Sequence, residues 1–229
     1  KVLLVNCADL GASHAANVGV HLTLNAELEV YRWGPITHAP SLLDGDGGFP
    51  RTLEDVWDHA DLDEVRRELR AQIERAIYWG FDVSHLDSHL ATLQLRPEFF
   101  DVYLELAVDF RLPIRLTGAS SERAIGFPFR RLAAEEGVLF PDNYVYPPTG
   151  NGARRTLERL LGDLRPGVTE ISVHAAVDTP ELRSLAPDWA LRVDDHDLVA
   201  NDQSIGALAK RVGVTLVGYR EIRDVMRAA

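Results

Sequence analysis

The stretch Glu64–Leu90, EVRRELRAQIERAIYWGFDVSHLDSHL, joins a helical pattern to a strand pattern. Apolar residues recur at every fourth position in its first part: Val65, Leu69, Ile73 and Ile77. This spacing predicts an amphipathic helix that ends at Gly80. The following run, 83–86, predicts a short strand. A helix that leads into a strand is the repeating unit of α/β proteins.

The same alternation continues on both sides of this stretch. We predict strands at 1–6, 19–24, 83–86, 113–116, 169–174 and 214–217. We predict helices at 53–80, 97–110, 153–164, 203–211 and 219–227. Two segments rich in Gly, Pro and Asp or Asn, 25–51 and 118–152, are predicted to be irregular. Without a repeat or a clear boundary, the pattern indicates one α/β domain over residues 1–229, either a parallel sheet or a (β/α) barrel.

Composition excludes several classes of function. The 229 residues carry a formal net charge of −11 without a basic stripe, which argues against nucleic acids or an anionic membrane as partners. No apolar run approaches the roughly 18 residues of a membrane helix. Cys7 is the only cysteine, so no disulfide forms within the chain, and we expect a cytoplasmic protein. Because the chain begins at Lys1, residues upstream are expected to be missing, and a removed signal peptide stays open.

Ionisable residues stand at or near the ends of five predicted strands. Asp9 follows the first strand, His21 lies in GVHLTL, and HLDSH follows the third strand with His85, Asp87 and His89. Arg115 and His174 end the next two strands in the runs PIRL and ISVH. Active sites of parallel α/β folds lie at the carboxyl ends of strands. Five such ends therefore predict one site, although any single residue could be an ordinary helix cap or core histidine.

The HLDSH stretch carries the most specific chemistry. If the strand stays extended, residues 85, 87 and 89 share one face. One histidine could then bind a metal ion while Asp87 or His85 orients it. Two imidazoles and a carboxylate form a common open metal site, in which a bound water becomes a nucleophile for hydrolysis. His174 could then supply a proton to the leaving group.

Taken together, these segments resemble the YdjC-like carbohydrate deacetylases, which include chitooligosaccharide and hopanoid-biosynthesis deacetylases. The similar segments are VNCADLG, GVHLTL, HLDSH with the helix after it, the PIR strand and EISVH, in the family's order. The resemblance implies a distorted (β/α) barrel of mainly parallel strands that uses a divalent metal. It implies that Asp9, His21 and His89 bind the metal, and that His85 supports them.

The resemblance also implies the catalytic roles. His174 would be the general acid, and Arg115 would help to orient the site. The family motif reads V-N-A-D-D, and its first Asp, the general base, is Ala8 here. Loss of that carboxylate should slow turnover sharply. Ala8 is then either natural, as in a pseudoenzyme, or an engineered substitution that traps a complex; the intact remainder of the site favours the second.

Three further departures concern the rest of the pattern. The family has additional histidines after D-S-H, where this chain has Leu90-Ala91-Thr92, and it has H-P-G where this chain has His174-Ala175-Ala176. Some tens of residues separate its first motif from H-L-T-L, whereas only a few separate Gly11 from Val18. Parallel strands need a crossover of a dozen or more residues, so we expect a segment to be missing near 16–18.

The leading hypothesis is therefore a metal-dependent hydrolase that removes the acetyl group from an N-acetylated amino sugar or oligosaccharide. Tyr144, Tyr146 and Trp33 are candidates for stacking on the sugar, although ordinary loop aromatics would look the same. The ligand set suits Zn²⁺, and Mg²⁺ stays open. Two alternatives remain: another metal-dependent barrel hydrolase, and a non-catalytic carbohydrate-binding or regulatory protein. Homodimerisation is also left open.

Overall fold

The computed structural model describes residues 2–4, 17–146, 153–201 and 203–229. The chain divides into two compact units, each assembled from distant parts of the sequence. The first unit contains Lys1–Val5 and Pro141–Val217, and the second contains Asn6–Phe140 and Gly218–Ala229. The prediction of one domain over residues 1–229 stays a prediction.

A four-stranded parallel sheet forms the centre of the first unit. Its strands are β1 (Val2–Leu4), β4 (Asn143–Val145), β5 (Val168–Ile171) and β6 (Thr215–Val217), in the order β4-β5-β1-β6. The helices of this unit are α6 (Ala153–Asp163), α7 (Pro180–Leu185), α8 (Trp189–His196) and α9 (Gln203–Arg211), with one π turn at Asp197–Asn201. A small apolar core forms where α6 packs on α9: Leu157, Leu161, Leu164, Ala209 and Val214.

The second unit holds a two-stranded parallel sheet and most of the buried apolar side chains. Its strands are β2 (Val18–Leu22) and β3 (Val83–Ser88), paired so that His21 lies opposite Asp87. Its helices are α1 (Leu53–His59), α2 (Leu62–Tyr78), α3 (Pro97–Phe110), α4 (Ala119–Ile125), α5 (Phe129–Glu135) and α10 (Tyr219–Ala228). Short 3₁₀ turns lie at Pro40–Leu42 and His89–Ala91.

Helix α2 shows how the sequence sets the local structure. The Asp61 side chain caps its first turn by accepting hydrogen bonds from two backbone N–H groups, and this cap separates α2 from α1. Val65, Leu69 and Ile73 are fully buried, as their spacing by four predicts, because they share the face that packs against β2 and α3. Gly80, with φ of +87°, turns the chain toward β3.

Several sequence predictions need correction. The helix predicted at 53–80 is two helices, and Ile77, one residue before the end of α2 at Tyr78, is half exposed. The predicted strand at 113–116 is a single bridge between Ile114 and Leu86. Segment 118–152 is not irregular throughout, since it contains α4, α5 and β4. The α/β class with parallel strands is confirmed, whereas the distorted barrel stays a prediction. None of the helices in the described ranges is both long and apolar enough to cross a bilayer.

Candidate functional site

Strand β3 places polar side chains in the interior of the second unit. All six of its residues are buried, and four of them are polar: Ser84, His85, Asp87 and Ser88. Buried polar groups are costly unless they find hydrogen-bond partners, so each of these must be satisfied within the protein. At the carboxyl end of the strand the partners are other ionisable side chains.

These side chains form a cluster at the paired ends of β2 and β3, here called the strand-end cluster. Its members are His21, Glu27, Asp87, His89 and Arg115. His21 Nδ1 donates to Asp87 Oδ2 over 2.6 Å, and Arg115 Nη1 donates to the same oxygen over 2.5 Å. His21 Nε2 lies 2.9 Å from His89 Nδ1, and His89 Nε2 donates to Glu27 Oε2 over 2.8 Å. Four residues that the sequence predicted for one site are therefore in contact.

The turn after β3 explains how His89 reaches this position. The strand stops at Ser88, and His89–Ala91 forms a 3₁₀ turn. Leu90 and Ala91 take φ values of +50° and +57°, which non-glycine residues rarely adopt and which store local strain. Residues 85, 87 and 89 thus do not follow one extended face, because His89 leaves the strand and turns toward His21.

Asp87 is the electrostatic centre of the cluster. Burial by itself would raise the pKa of its carboxyl, but the hydrogen bond from His21 and the charge of Arg115 outweigh burial and hold that pKa below its usual value. Its second oxygen accepts the backbone N–H of Ser88 over 2.8 Å. Asp87 therefore stays ionised and fixes the ring of His21 through Nδ1.

His21 Nε2 and His89 Nδ1 face each other, and the other nitrogen of each ring is here called its outer nitrogen. A carboxylate holds the outer nitrogen of each ring, Asp87 for His21 and Glu27 for His89. This arrangement of carboxylate, histidine and metal is common in metalloproteins. Two nitrogen ligands about 2.1 Å from one ion would lie about 3.4 Å apart at the tetrahedral angle and about 3.0 Å apart at a right angle. His21 Nε2 and His89 Nδ1 lie 2.9 Å apart, so binding to a tetrahedral ion would require the two rings to separate by about 0.5 Å. After that small shift, the donors would fit two positions around a divalent ion.

The remaining predicted ligand lies outside the described residues. Asp9 and Ala8 both fall in the segment 5–16, so their predicted roles stay predictions. Within the described ranges, no group of three His, Cys, Asp or Glu side chains is arranged to hold a metal ion. Of the expected gap near 16–18, only residue 16 lies in that segment, and the expectation likewise stays a prediction.

His85 lies beneath the cluster in the buried part of β3. Its ring stacks on Tyr219 with centroids 3.9 Å apart, and its Nδ1 donates to the Ser84 hydroxyl over 2.9 Å. A Cβ at Gly19 would lie 2.2 Å from this ring, which explains the glycine in β2. Burial lowers the pKa of His85 to about 3, so the ring is neutral. Its predicted supporting role stays a prediction.

Trp33 lies beside the cluster on the loop between β2 and α1. Its ring centroid is 6.3 Å from that of His89, with the rings nearly perpendicular. Tyr31, which no sequence pattern singles out, lies next to Trp33 with ring centroids 5.9 Å apart. Glu27, on the same loop, was also missed. Loop positions have no periodicity, so the only available signal was their closeness to His21 in the sequence.

The remaining candidates lie in the first unit. The Tyr146 hydroxyl is 3.0 Å from His174 Nδ1, and the two rings meet edge to face. Tyr144 is half-buried within β4. The structure thus brings Tyr146 and His174 together, and their catalytic and sugar-binding roles stay predictions.

Comparison with known proteins finds a matching family, similar sequences and a similar structure. The family model for YdjC-like proteins matches residues 3–210. A carbohydrate deacetylase from Thermus thermophilus is 34% identical, over 99% of this chain and 95% of its own length. A carbohydrate deacetylase from Thermoanaerobacter pseudethanolicus is 28% identical, over 93% of this chain and 78% of its own. A solved structure from Enterococcus faecalis V583, described as a cellobiose-phosphate cleavage protein, superimposes with a TM-score of 0.76 at 25% identity, over 90% of this chain and 78% of that one.

The alignment with the Thermus thermophilus protein is longer than this chain. It extends over 267 aligned positions, more than the 229 residues of this chain. The Thermus thermophilus protein therefore carries residues that have no counterpart here.

Since the match covers nearly all of both proteins, and the family model spans parts of both compact units, this chain belongs to the YdjC-like protein family.

Proposed function

We propose that this chain binds a saccharide with an N-acetylated amino sugar and has the active-site plan of a metal-dependent carbohydrate N-deacetylase. The observation that carries the proposal is the facing pair His21 and His89, in which a carboxylate fixes the outer nitrogen of each ring. Relatives named carbohydrate deacetylase support the choice of substrate class.

His21 and His89 would hold the ion together with Asp9. Two imidazole nitrogens suit Zn²⁺ and related transition metals better than Mg²⁺, which prefers oxygen ligands. When bound, a divalent ion supplies polarisation of the amide carbonyl and a water of lowered pKa. Asp87 keeps His21 in the correct tautomer, and Arg115 balances the charge of that carboxylate.

The reaction would be hydrolysis of the N-acetyl amide. A bond forms between the water oxygen and the carbonyl carbon, the C–N bond breaks, and acetate and an amine leave. Two proton transfers are needed: one from the attacking water to a base, and one from an acid to the departing nitrogen. His174 is the proposed acid. The methyl group of Ala8 cannot accept a proton, so the first transfer lacks its base.

Ala8 also favours a second candidate, a carbohydrate-binding protein without turnover. Both candidates share the same ligand and the same residues in the strand-end cluster. They differ in whether a carboxylate restored at position 8 produces acetate.

The test compares the chain with Ala8→Asp and with Ala8→Asn, which has nearly the same shape without the charge. Acetate release from N,N′-diacetylchitobiose should rise by about 10²–10⁴-fold in Ala8→Asp only, because general-base assistance is of that order. Saccharide affinity, measured by calorimetry, should stay nearly constant across all three. Equal rates for Ala8→Asp and Ala8→Asn would contradict the proposed catalytic plan and leave the binding candidate.

A further inference from the structure

We propose that Tyr31 forms an outer sugar-binding subsite, which contacts a second saccharide unit beyond the one that enters the strand-end cluster. This inference rests on the proposed function, because it assumes that the ligand is a saccharide. It adds a residue and a chain-length preference that the proposed function does not contain.

Three aromatic rings form a row that leads outward from the cluster. His89 is followed by Trp33, with centroids 6.3 Å apart, and Trp33 is followed by Tyr31, with centroids 5.9 Å apart. Trp33 is partly buried, whereas Tyr31 is 56% exposed. The row thus begins at a proposed metal-binding histidine and ends at the surface.

The backbone around Tyr31 is firmly held. The Arg32 guanidinium donates to Ala26 O, Phe49 O and the Asp44 carboxylate. The Trp33 indole N–H donates to Asn25 O over 3.1 Å, and Trp33 O accepts from Phe49 N over 2.8 Å. These bonds fix the residues that follow Tyr31. Little conformational freedom would be lost when a ligand packs against its ring.

The chemistry of this surface suits a pyranose ring. A pyranose has apolar C–H faces and a rim of hydroxyl groups, so it can stack on an aromatic face and keep its hydroxyls hydrated. A tyrosine offers such a face. Aromatic side chains with a few precisely placed polar groups line many ligand sites.

The order of the row sets the expected specificity. Trp33 contacts both His89 and Tyr31, so on this proposal a single sugar at the cluster meets Trp33 first. Only a longer saccharide extends as far as Tyr31. Removal of the Tyr31 ring should therefore weaken a disaccharide selectively and leave a monosaccharide unaffected.

The test measures equilibrium binding of N-acetylglucosamine and N,N′-diacetylchitobiose by calorimetry. Under the proposed function, the chain lacks its base at position 8 and would not hydrolyse the sugars during the titration. The variants are Tyr31→Ala and Tyr31→Phe. The matched control is Tyr78→Ala, which removes a still more exposed ring (85%) at the end of α2. Thermal unfolding of each variant verifies that the fold is retained.

Tyr31→Ala should weaken the disaccharide about tenfold and change the monosaccharide less than about twofold. Tyr31→Phe and Tyr78→Ala should bind both sugars as the unaltered chain does. Equal disaccharide affinity in Tyr31→Ala, an equal loss for both sugars, or a loss in Tyr31→Phe as large as in Tyr31→Ala would each overturn the stacked subsite. If the unaltered chain binds neither sugar, the proposed function falls together with the subsite, whereas acetate release by Ala8→Asp with unimpaired binding in Tyr31→Ala would remove only the subsite.

Discussion

The buried His85 should make the stability of this protein sensitive to mild acid. Burial lowers the pKa of its ring to about 3 from an ordinary value of 6.5; Arg115 and His21 act in the same direction, and Asp87 offsets them only in part. The unfolded chain takes up a proton at this residue below about pH 6.5, and the folded chain does not. The contribution of His85 is therefore fully present above pH 6.5 and is lost at about 1.4 kcal/mol per pH unit as the pH falls toward 3.

Between pH 7 and pH 5 this loss amounts to about 2 kcal/mol of unfolding free energy. The perturbation is His85→Gln, with His85→Phe as a second variant that keeps a flat ring against Tyr219. Urea unfolding at the two pH values, with a chelator to exclude metal, gives the free-energy loss for each protein. Both variants should lose about 2 kcal/mol less than the unaltered chain over this interval, whatever their stability at pH 7. Equal losses in all three proteins would refute the assignment of the acid sensitivity to His85.

Two further predictions concern the strand-end cluster. Asp87→Asn should lower the unfolding free energy by about 3 kcal/mol, because it removes a buried carboxylate that pairs with Arg115 and accepts from His21. Asp46→Asn, which removes an exposed carboxylate 3.6 Å from Arg51, should cost about 0.5 kcal/mol or less. Equal effects of the two substitutions in urea unfolding would contradict the role given to burial. Glu27→Ala should reduce Zn²⁺ affinity, measured by direct titration, by about 10–100-fold. Glu27→Gln should reduce it less, because its amide oxygen can still accept from His89, and the exposed control Glu29→Ala should leave it unchanged. Unchanged affinity in Glu27→Ala would show that Glu27 does not position His89.

Sequence patterns predicted helices correctly where the apolar spacing repeats over several helical turns. Val65, Leu69 and Ile73 in α2 and the whole of α3 follow directly from their apolar spacing. The break between α1 and α2 was missed because the apolar pattern extends across it, and only the Asp61 cap marks the boundary. Helices α4 and α5 have seven residues each, which is too short for a clear helical period.

The site was predictable to the extent that strand ends determine it. Neighbouring parallel strands end at the same edge, and for this reason we expected one cluster of His21, Asp87, His89 and Arg115. The pairing of His21 with Asp87 across β2 and β3 brings two of these residues together in this way. Glu27 could not be predicted, since a loop side chain is placed by the path of the backbone rather than by a repeating pattern. Tyr31 was missed for the same reason, and its position depends on the anchoring of Arg32.

The strand-end cluster bears on whether Ala8 leaves a functional protein. Burying an ionised Asp87 with Arg115 rarely stabilises a fold relative to apolar side chains of similar volume. The left-handed residues Leu90 and Ala91, which directly follow His89, add strain of about 1–3 kcal/mol each. A chain that only needed to fold would be more stable without both features. Both features therefore favour a protein that binds a ligand at this site, and under the proposed function Ala8 would alter the chemistry rather than the recognition of that ligand.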